Sequence, residues 1–449
     1  MSGLRATAPS LAAVEGLAAA GAELRGHGYT WERVCERTGL TWRVPFPLSR
    51  LDEVDTPRLA DESRPPVDWL IRLLLLGDEI PSERLDAFAG AATRAALVRA
   101  GLLREHGAAV SAQALVLPWE DLLLACDWPW SDLEARVTVP DPSSAWTAEH
   151  VAPLPGEPTG TAVDVGTGCG IIALVAARHF ARVLGFDTSL RAIEFARFNA
   201  ALNGADVEFE TCSTRFLAEE LEAPVDLVAF VLPVLFPQFW RRSAAAHVSE
   251  VDAGVDGTEL AVGVYRDLPR SLTAHGRALL FHQVVLEPGR DLAAWLRDSG
   301  AGDGLEVLAN LVYRQSAGSG FARVSARRAR RGSLRVVPGP AELFAARQSR
   351  EDLLRRVATE DLLARDGGQL GDRVPRLYGW LEAVTVRAVG DGRLLPPRTT
   401  IEGEPMDEAA WALVQALDGK ATVAELLERG HAEATIRALA ASGLAYLKG

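Results

Sequence analysis

The segment TAVDVGTGCG, residues 161–170, constrains the fold more than any other part of this sequence. An apolar run that contains Asp164 leads through closely spaced glycines into an apolar helical run, which is the pattern of a strand, a turn and a helix. Glycines have no Cβ, so a ligand can approach the bare backbone of such a turn. They occupy every second position here, at Gly166, Gly168 and Gly170. The segment therefore predicts a ligand-binding turn between a buried strand and a helix.

A second acidic residue supports this prediction. Asp187 ends the next apolar run, about 20 residues after the glycines, where an acidic side chain can meet the hydroxyl pair of a ribose. The glycine spacing differs from the GxGxxG of dinucleotide sites, and the Lys-Ser/Thr of a phosphate loop is missing. The alternative is a structural turn that binds no ligand.

The combined pattern resembles the first motif of the Rossmann-like S-adenosylmethionine (SAM)-dependent methyltransferases. The helix after Asp187 ends in NAALNG, residues 199–204, which is similar to the HemK-like "small domain" methyltransferases that modify nitrogen in glutamine side chains or RNA bases. The acidic segment DAGVDGTEL, residues 252–260, is similar to the loop that opens the helix before strand five in that family. The resemblance covers roughly residues 30–330.

This resemblance implies SAM as the cofactor, and the separated cysteines of the sequence suggest no metal site. Family members often place an acidic residue after strand three to accept a hydrogen bond from the adenine amino group, and Ser213 is the best match here. The candidate cofactor-binding residues are Asp164, Gly166, Thr167, Gly168, Gly170, Asp187, Thr188, Ser213 and Val231.

One departure from the family concerns the methyl acceptor. HemK-like enzymes carry Asn-Pro-Pro-Tyr/Phe after strand four, and its asparagine holds the planar target nitrogen by hydrogen bonds. In this sequence the asparagine position falls on Phe230 or Val231, and neither side chain can hydrogen-bond. A buried amide left unpaired costs roughly 1–3 kcal/mol, so we expect a different acceptor.

Apolar and aromatic side chains around this strand end favour an apolar acceptor, or a cation–π contact with a positive charge. The alternative is ordinary core packing. The candidate substrate-binding residues are Phe230, Leu232, Pro233, Phe236, Trp240 and Trp146. Asp252, His282 and His247 are candidate catalytic residues, because a base is needed if the acceptor carries a proton. For His282 the alternative is a hydrogen-bonded structural histidine at a strand end.

Three functions remain open on the sequence alone. The first is SAM-dependent methylation of a small molecule by direct in-line transfer, in specialised (natural-product) metabolism. The second is methylation of nitrogen in protein glutamine or RNA by a HemK-like enzyme without the asparagine. The third keeps SAM but transfers an aminocarboxypropyl group, catalyses a cyclisation, or serves as a non-catalytic scaffold.

The 449 residues are enough for two to four domains. We predict a helical, winged-helix-like domain over 1–135 and an α/β methyltransferase domain over 136–330 with a Rossmann-like, mostly parallel seven-stranded sheet. An accessory domain follows over 331–449, with a small winged-helix-like unit at 406–449. The predicted strands are 162–165, 183–186, 207–209, 227–231, 277–284, 306–313 and 321–326. In the terminal domains we expect a helix that Ser10 caps and that runs through Leu24, a short helix capped by Thr30, a short hairpin at 108–116, a helix at 343–364 and a capping box at 422–425.

Composition limits the expected binding partners and the expected cellular location of the protein. A net charge of −13 argues against broad nucleic-acid binding, although the basic run at 327–332 is either a solvated strand end or an RNA contact. Four separated cysteines and the lack of a signal peptide predict a cytoplasmic protein with reduced thiols, without a membrane span. The terminal domains are expected to cover the active site or to form a homodimer.

Overall fold

The computed structural model describes most of the first 338 residues and shorter segments beyond them. Two compact units form: residues 1–282, 299–306 and 325–332 belong to the first, and residues 283–298, 307–324 and 333–449 to the second. The described residues are 11–39, 65–129, 131, 136–153, 156–212, 217–232, 258–286, 290–314, 319–330, 332–338, 374–377, 383–386, 389–390, 393–394, 398–401, 404–405, 408–417, 420–441 and 445–448.

The N-terminal part of the first unit consists of helices followed by short hairpins. Its helices are α1 (Leu17–Gly26), α2 (Trp31–Thr38), α3 (Pro66–Leu70) with a π-helical turn at Ile71–Leu75, and α4 (Ser82–Arg99), which is interrupted by a kink at Gly90. Strands β1 (Ile80–Pro81), β2 (Leu103–His106) and β3 (Ala109–Ala112) pair in the order β1-β3-β2, and β4 (Leu115–Trp119) pairs with β5 (Leu122–Cys126). This order of elements agrees with the winged-helix-like expectation, which stays a prediction.

Local sequence signals explain where these helices begin. Thr30 caps α2 as predicted, since its hydroxyl accepts a hydrogen bond from the Arg33 backbone N–H. Helix α1 was expected from Leu11 onward, but it begins at Leu17. Gly16 adopts a left-handed conformation at φ 83°, which the right-handed helix cannot continue through.

The central sheet has the strand order β13-β11-β12-β10-β9-β6-β7-β8. All seven predicted strands are confirmed, and the edge strand β13 was not predicted. The strands are β6 (Thr161–Val165), β7 (Arg182–Asp187), β8 (Glu208–Thr211), β9 (Val225–Val231), β10 (Leu272–Val285), β11 (Leu305–Arg314), β12 (Ser319–Arg328) and β13 (Ser333–Pro338).

The middle of this sheet is parallel and deeply buried. Val165 of β6 lies opposite Phe186 of β7 on one side and Phe230 of β9 on the other, both in parallel register. Near-continuous apolar strands are what a parallel sheet needs when both of its faces are covered. The associated helices are α5 (Pro142–Glu149), α6 (Ile171–Ala176), α7 (Leu190–Asn203), α8 (Leu217–Glu220), α9 (Glu259–Ser271) and α10 (Leu292–Asp298).

The described C-terminal segments contain two short strand pairs, one three-stranded sheet and three helices. Thr422 forms the predicted capping box with Glu425 at the start of the helix Val423–Glu428. The helix expected at 343–364 lies outside the described residues. The helices are α11 (Glu408–Ala416), α12 (Val423–Glu428) and α13 (Glu433–Ala441); the strands are β14 (Val374–Leu377), β15 (Ala383–Val386), β16 (Val389–Gly390), β17 (Arg393–Leu394), β18 (Arg398–Ile401), β19 (Glu404–Pro405) and β20 (Ala445–Lys448).

Within the described parts of the chain, every helix is too short or too polar to cross a lipid bilayer.

Candidate cofactor site

The glycine turn between β6 and α6 is left-handed at all three glycines. The φ angles are +67° at Gly166, +55° at Gly168 and +87° at Gly170, values that side chains with a Cβ rarely adopt. A Cβ at Gly166 would lie 3.4 Å from Phe230, and one at Gly170 would lie 3.3 Å from Ala196. At Gly168 the nearest atom would be 4.0 Å away. The space next to Gly166 and Gly170 is therefore filled by Phe230 and Ala196, whereas the space next to Gly168 is open to a ligand.

Asp164 lies buried beneath this turn and holds it. One carboxylate oxygen, Oδ2, accepts hydrogen bonds from the Thr167 hydroxyl at 2.7 Å and from the Ala173 backbone N–H at 3.1 Å. The other oxygen, Oδ1, is buried without a hydrogen-bond partner. Burial raises the pKa of Asp164 to about 7, because desolvation disfavours the charged form.

Asp187 approaches the same turn from the end of β7. Its Oδ2 accepts a hydrogen bond from the Gly168 backbone N–H at 3.0 Å, and its Oδ1 accepts one from the Ser189 backbone N–H at 2.9 Å. Burial raises the pKa of Asp187, while backbone hydrogen bonds, including one from Thr188, oppose that rise. The two acids selected from the sequence thus meet at one turn.

Two asparagines of the NAALNG segment contribute contacts that the sequence reasoning missed. Asn199 accepts a hydrogen bond from the Ala125 N–H at 2.7 Å and donates to the Ala125 carbonyl at 3.0 Å and the Cys169 carbonyl at 2.8 Å. Asn203 pairs in the same way with Leu123, accepting at 2.9 Å and donating at 2.8 Å. Asn199 is fully buried, and a buried amide inside an amphipathic helix was the available signal, because such a group needs partners.

The carboxyl end of β9 presents apolar side chains. Val231 lies opposite Phe281 of β10, and the Leu232 backbone N–H donates to the Phe281 carbonyl at 2.9 Å. Phe230 and Leu232 are each 2% exposed, and Phe230 packs under Gly166. Phe230, Val231 and Leu232 were candidates for binding cofactor or substrate, and those roles stay predictions.

Trp146 and His282 are also buried. The Trp146 ring stacks on His150 with ring centroids 4.6 Å apart. His282 Nε2 shares a hydrogen bond of 2.7 Å with the Tyr265 hydroxyl, and the two rings meet edge to face. This geometry agrees with the structural alternative for His282, and its catalytic role stays a prediction. The remaining candidates lie outside the described residues: Ser213, Pro233, Phe236, Trp240, His247 and Asp252.

The first arginines of the basic run have partners within the protein. Glu157 pairs with Arg277 at 3.0 Å and also with Arg327. Arg328 donates to the Leu272 carbonyl at 2.8 Å. These contacts support the strand-end interpretation of the run over an RNA contact.

The described site fits SAM on three observations. Gly168 leaves one side of the turn open, Asp187 brings a carboxylate to that turn, and Asp164 holds an unsatisfied oxygen beneath it. Asp187 can accept hydrogen bonds from the ribose hydroxyl pair of SAM, and the net positive charge of SAM suits a site with two acidic side chains.

Comparison with known proteins agrees with this geometry. Residues 162–252 match a model described as a methyltransferase domain, and residues 49–113 match a domain of unknown function, DUF7059. The chain is 33% identical over 204 residues to a release factor glutamine methyltransferase of Deinococcus radiodurans, which covers 42% of this chain and 70% of that protein.

Other relatives match shorter parts. A ubiquinone biosynthesis O-methyltransferase of Brucella melitensis is 28% identical over 129 residues, covering 28% of this chain and 47% of the relative. A tRNA1(Val) (adenine(37)-N6)-methyltransferase of Porphyromonas gingivalis is 36% identical over 104 residues, covering 23% and 40%. A solved putative class I SAM-dependent methyltransferase from Listeria monocytogenes has a TM-score of 0.34 and 13% identity, covering 47% of this chain and 68% of that one.

The fold and the glycine turn define a class I SAM-dependent methyltransferase. Within that class, the chain belongs to the HemK-like family. The relatives act on protein, RNA and ubiquinone-pathway substrates by their names, so family membership leaves the acceptor open.

Proposed function

We propose that this methyltransferase acts on a small-molecule acceptor in specialised metabolism, by direct in-line methyl transfer. The observation that carries the proposal is the apolar carboxyl end of β9. Val231 ends the strand and Leu232 follows it, at the place where glutamine and base methylation in the family rely on an asparagine side chain.

Phe230 and Val231 are the two positions that could correspond to the asparagine of the family, and the register of the parallel strands distinguishes them. Phe230 still pairs with Val165 inside the sheet, whereas Val231 is the last strand residue. The structure thus favours Val231 over Phe230 for the equivalent position. A valine offers no hydrogen bond, so a planar amide or base amino group placed there would lose roughly 1–3 kcal/mol relative to one that is held.

Methyl transfer places modest demands on the protein. SAM supplies an activated methyl group on its sulfonium, so alignment of the donor and acceptor provides much of the rate. The glycine turn, held by Asp164 and Asp187, supplies a rigid seat for that alignment. An acceptor whose attacking atom carries no proton at the working pH, such as a phenolate or a carboxylate, needs no base.

Protein glutamine methylation is the second candidate. It is favoured by the relative from Deinococcus radiodurans, which is a release factor glutamine methyltransferase by name. It requires other residues to hold the glutamine amide in place of the asparagine.

The experiment supplies SAM with a tritium-labelled methyl group to the wild-type protein. Its acceptors are a panel of small phenols, amines and carboxylic acids, compared with translation release factor and bulk tRNA. We expect the wild type to label a small acceptor and to release S-adenosylhomocysteine (SAH). We expect Asp187→Ala to label no acceptor. Label in the release factor or tRNA alone would overturn the proposal, as would methylthioadenosine as the product.

A further inference from the structure

The hairpin β4–β5 is attached to helix α7 through two asparagine side chains. Asn199 and Asn203 each bond both the N–H and the C=O of one residue on β5, Ala125 and Leu123 respectively. Four residues on a helix rise about 6 Å, and two residues on a strand span about 6.6 Å. The two amides therefore match successive outward-facing peptide groups along β5.

This arrangement completes a strand edge. The other edge of β5 is paired with β4 along its length, from Leu122 opposite Trp119 to Cys126 opposite Leu115. A free strand edge leaves its backbone donors and acceptors without partners, and the asparagine amides supply them here.

Asn199 differs from Asn203 in one contact. Its Nδ2 group also donates to the carbonyl of Cys169, which lies between Gly168 and Gly170 in the cofactor turn. The corresponding group of Asn203 donates instead to the Asn199 backbone carbonyl within the helix, at 2.8 Å. One buried amide thus joins the N-terminal hairpin, helix α7 and the turn.

We propose that Asn199 is a positioning residue for the cofactor: it fixes the Cys169–Gly170 peptide from the side of the N-terminal hairpin and thereby sets the affinity for SAM and SAH. The inference rests on the proposed cofactor site at the turn. It adds that the affinity of this site depends on the link from the turn to β5. The turn is then held from three sides, by Asp164 through Thr167, by Asp187 through Gly168 and by Asn199 through Cys169.

The matched control is built into the same helix. Asn203→Ala removes bonds to Leu123, to the Asn199 carbonyl and to Arg25, so it should also lower the thermal midpoint. It leaves the Cys169 carbonyl untouched. A purely structural role for the asparagines would make the two variants alike in SAH affinity.

The measurement is calorimetric titration of SAH into the full-length wild type and both variants, at a temperature well below their ligand-free thermal midpoints. We expect Asn199→Ala to bind SAH about tenfold or more weakly, as one lost buried hydrogen bond implies, and Asn203→Ala to bind within about twofold of the wild type. Asn199→Ser, which keeps a small polar group, serves if the alanine variant does not fold.

A spectroscopic readout isolates the turn itself. Cys169-Gly170 is the single Cys-Gly pair in the sequence, so ¹³C-carbonyl cysteine combined with ¹⁵N-glycine yields one carbonyl-detected amide signal. Loss of the Asn199 bond should shift this carbonyl resonance in the ligand-free protein, and the Asn203 variant should leave it in place.

Equal affinity losses in the two variants, or an unmoved Cys169 carbonyl resonance in the Asn199 variant, would overturn the inference. Failure of the wild type to bind SAH would instead contradict the cofactor assignment, so the two failures are distinguishable.

Discussion

The carboxylate of Asp164 accepts a 2.7 Å hydrogen bond from the Thr167 hydroxyl through one oxygen and keeps its other oxygen buried without a partner. Thr167 also joins the turn to β7, because its backbone N–H donates to the Phe186 carbonyl at 2.8 Å. The same acid that closes the turn therefore carries an unsatisfied charge when it ionises. A bound cation would relieve that cost.

The ionisation of Asp164 predicts a pH dependence of stability. Its folded pKa, about 7, lies above its ordinary value of 3.8, so the folded state retains a proton that the unfolded chain releases. This stabilisation of the ligand-free protein is fully present below about pH 4 and is lost as the pH rises through 7. Asp164→Asn should remove that part of the slope, which thermal midpoints of both proteins at pH 5 and pH 8 would measure. Equal slopes in the two proteins would contradict the buried ionisation.

A substitution at Gly168 is expected to weaken SAH binding by more than its effect on folding stability explains. Gly168→Ala introduces a methyl group on the open side of the turn and strains a backbone at φ +55°, costing roughly 1 kcal/mol of folding free energy. We expect a loss of SAH affinity of about tenfold or more from the blocked approach. Gly28→Ala is the control, since Gly28 has φ +80° and no atom within 4 Å of its would-be Cβ. Similar SAH affinities in these two variants would show that no ligand approaches Gly168.

The ion pair between Glu157 and Arg277, next to the basic run, is expected to stabilise the folded protein. Their side chains are 10% and 3% exposed, so Glu157→Gln should lower the free energy of unfolding by about 1–3 kcal/mol, measured by thermal denaturation. The exposed pair of Arg33 and Glu36 is the comparison, and Glu36→Gln should change stability by less than about 1 kcal/mol. A larger effect at Glu36 than at Glu157 would contradict this account.

The sheet was predictable because its strands are local apolar runs between turn residues. Most predicted strands appear with extensions, for example β9 at Val225–Val231 instead of 227–231, whereas β8 is shifted to Glu208–Thr211 from the predicted 207–209. Strand β13 was missed because it contains Arg335 and directly follows the basic run at 327–332. The hairpin β4–β5 was missed in part, since only its first residues fell within the short hairpin expected near residues 108–116.

Some residues of the cofactor site could be predicted from the sequence, and others depend on contacts between distant parts of the chain. Asp164 and Asp187 stand at strand ends next to the turn, so the order of the sequence reveals them. The role of Asn199 depends on Ala125, which lies 74 residues away in the chain, and sequence spacing alone cannot place such a pair. For His282 the strand end was visible in the sequence, but the Tyr265 partner on α9 was not.

The most direct test of the cofactor site is calorimetric titration of SAH into the wild type, Asp187→Ala and Asp226→Ala. Asp226 is the matched control, because its carboxylate also accepts backbone hydrogen bonds, from Gly160 and Thr161, but at the amino end of the same parallel strands. Micromolar binding by the wild type and Asp226→Ala, with binding lost in Asp187→Ala, is the predicted result. Unchanged binding in Asp187→Ala, or no binding by the wild type, would contradict a SAM site at the glycine turn.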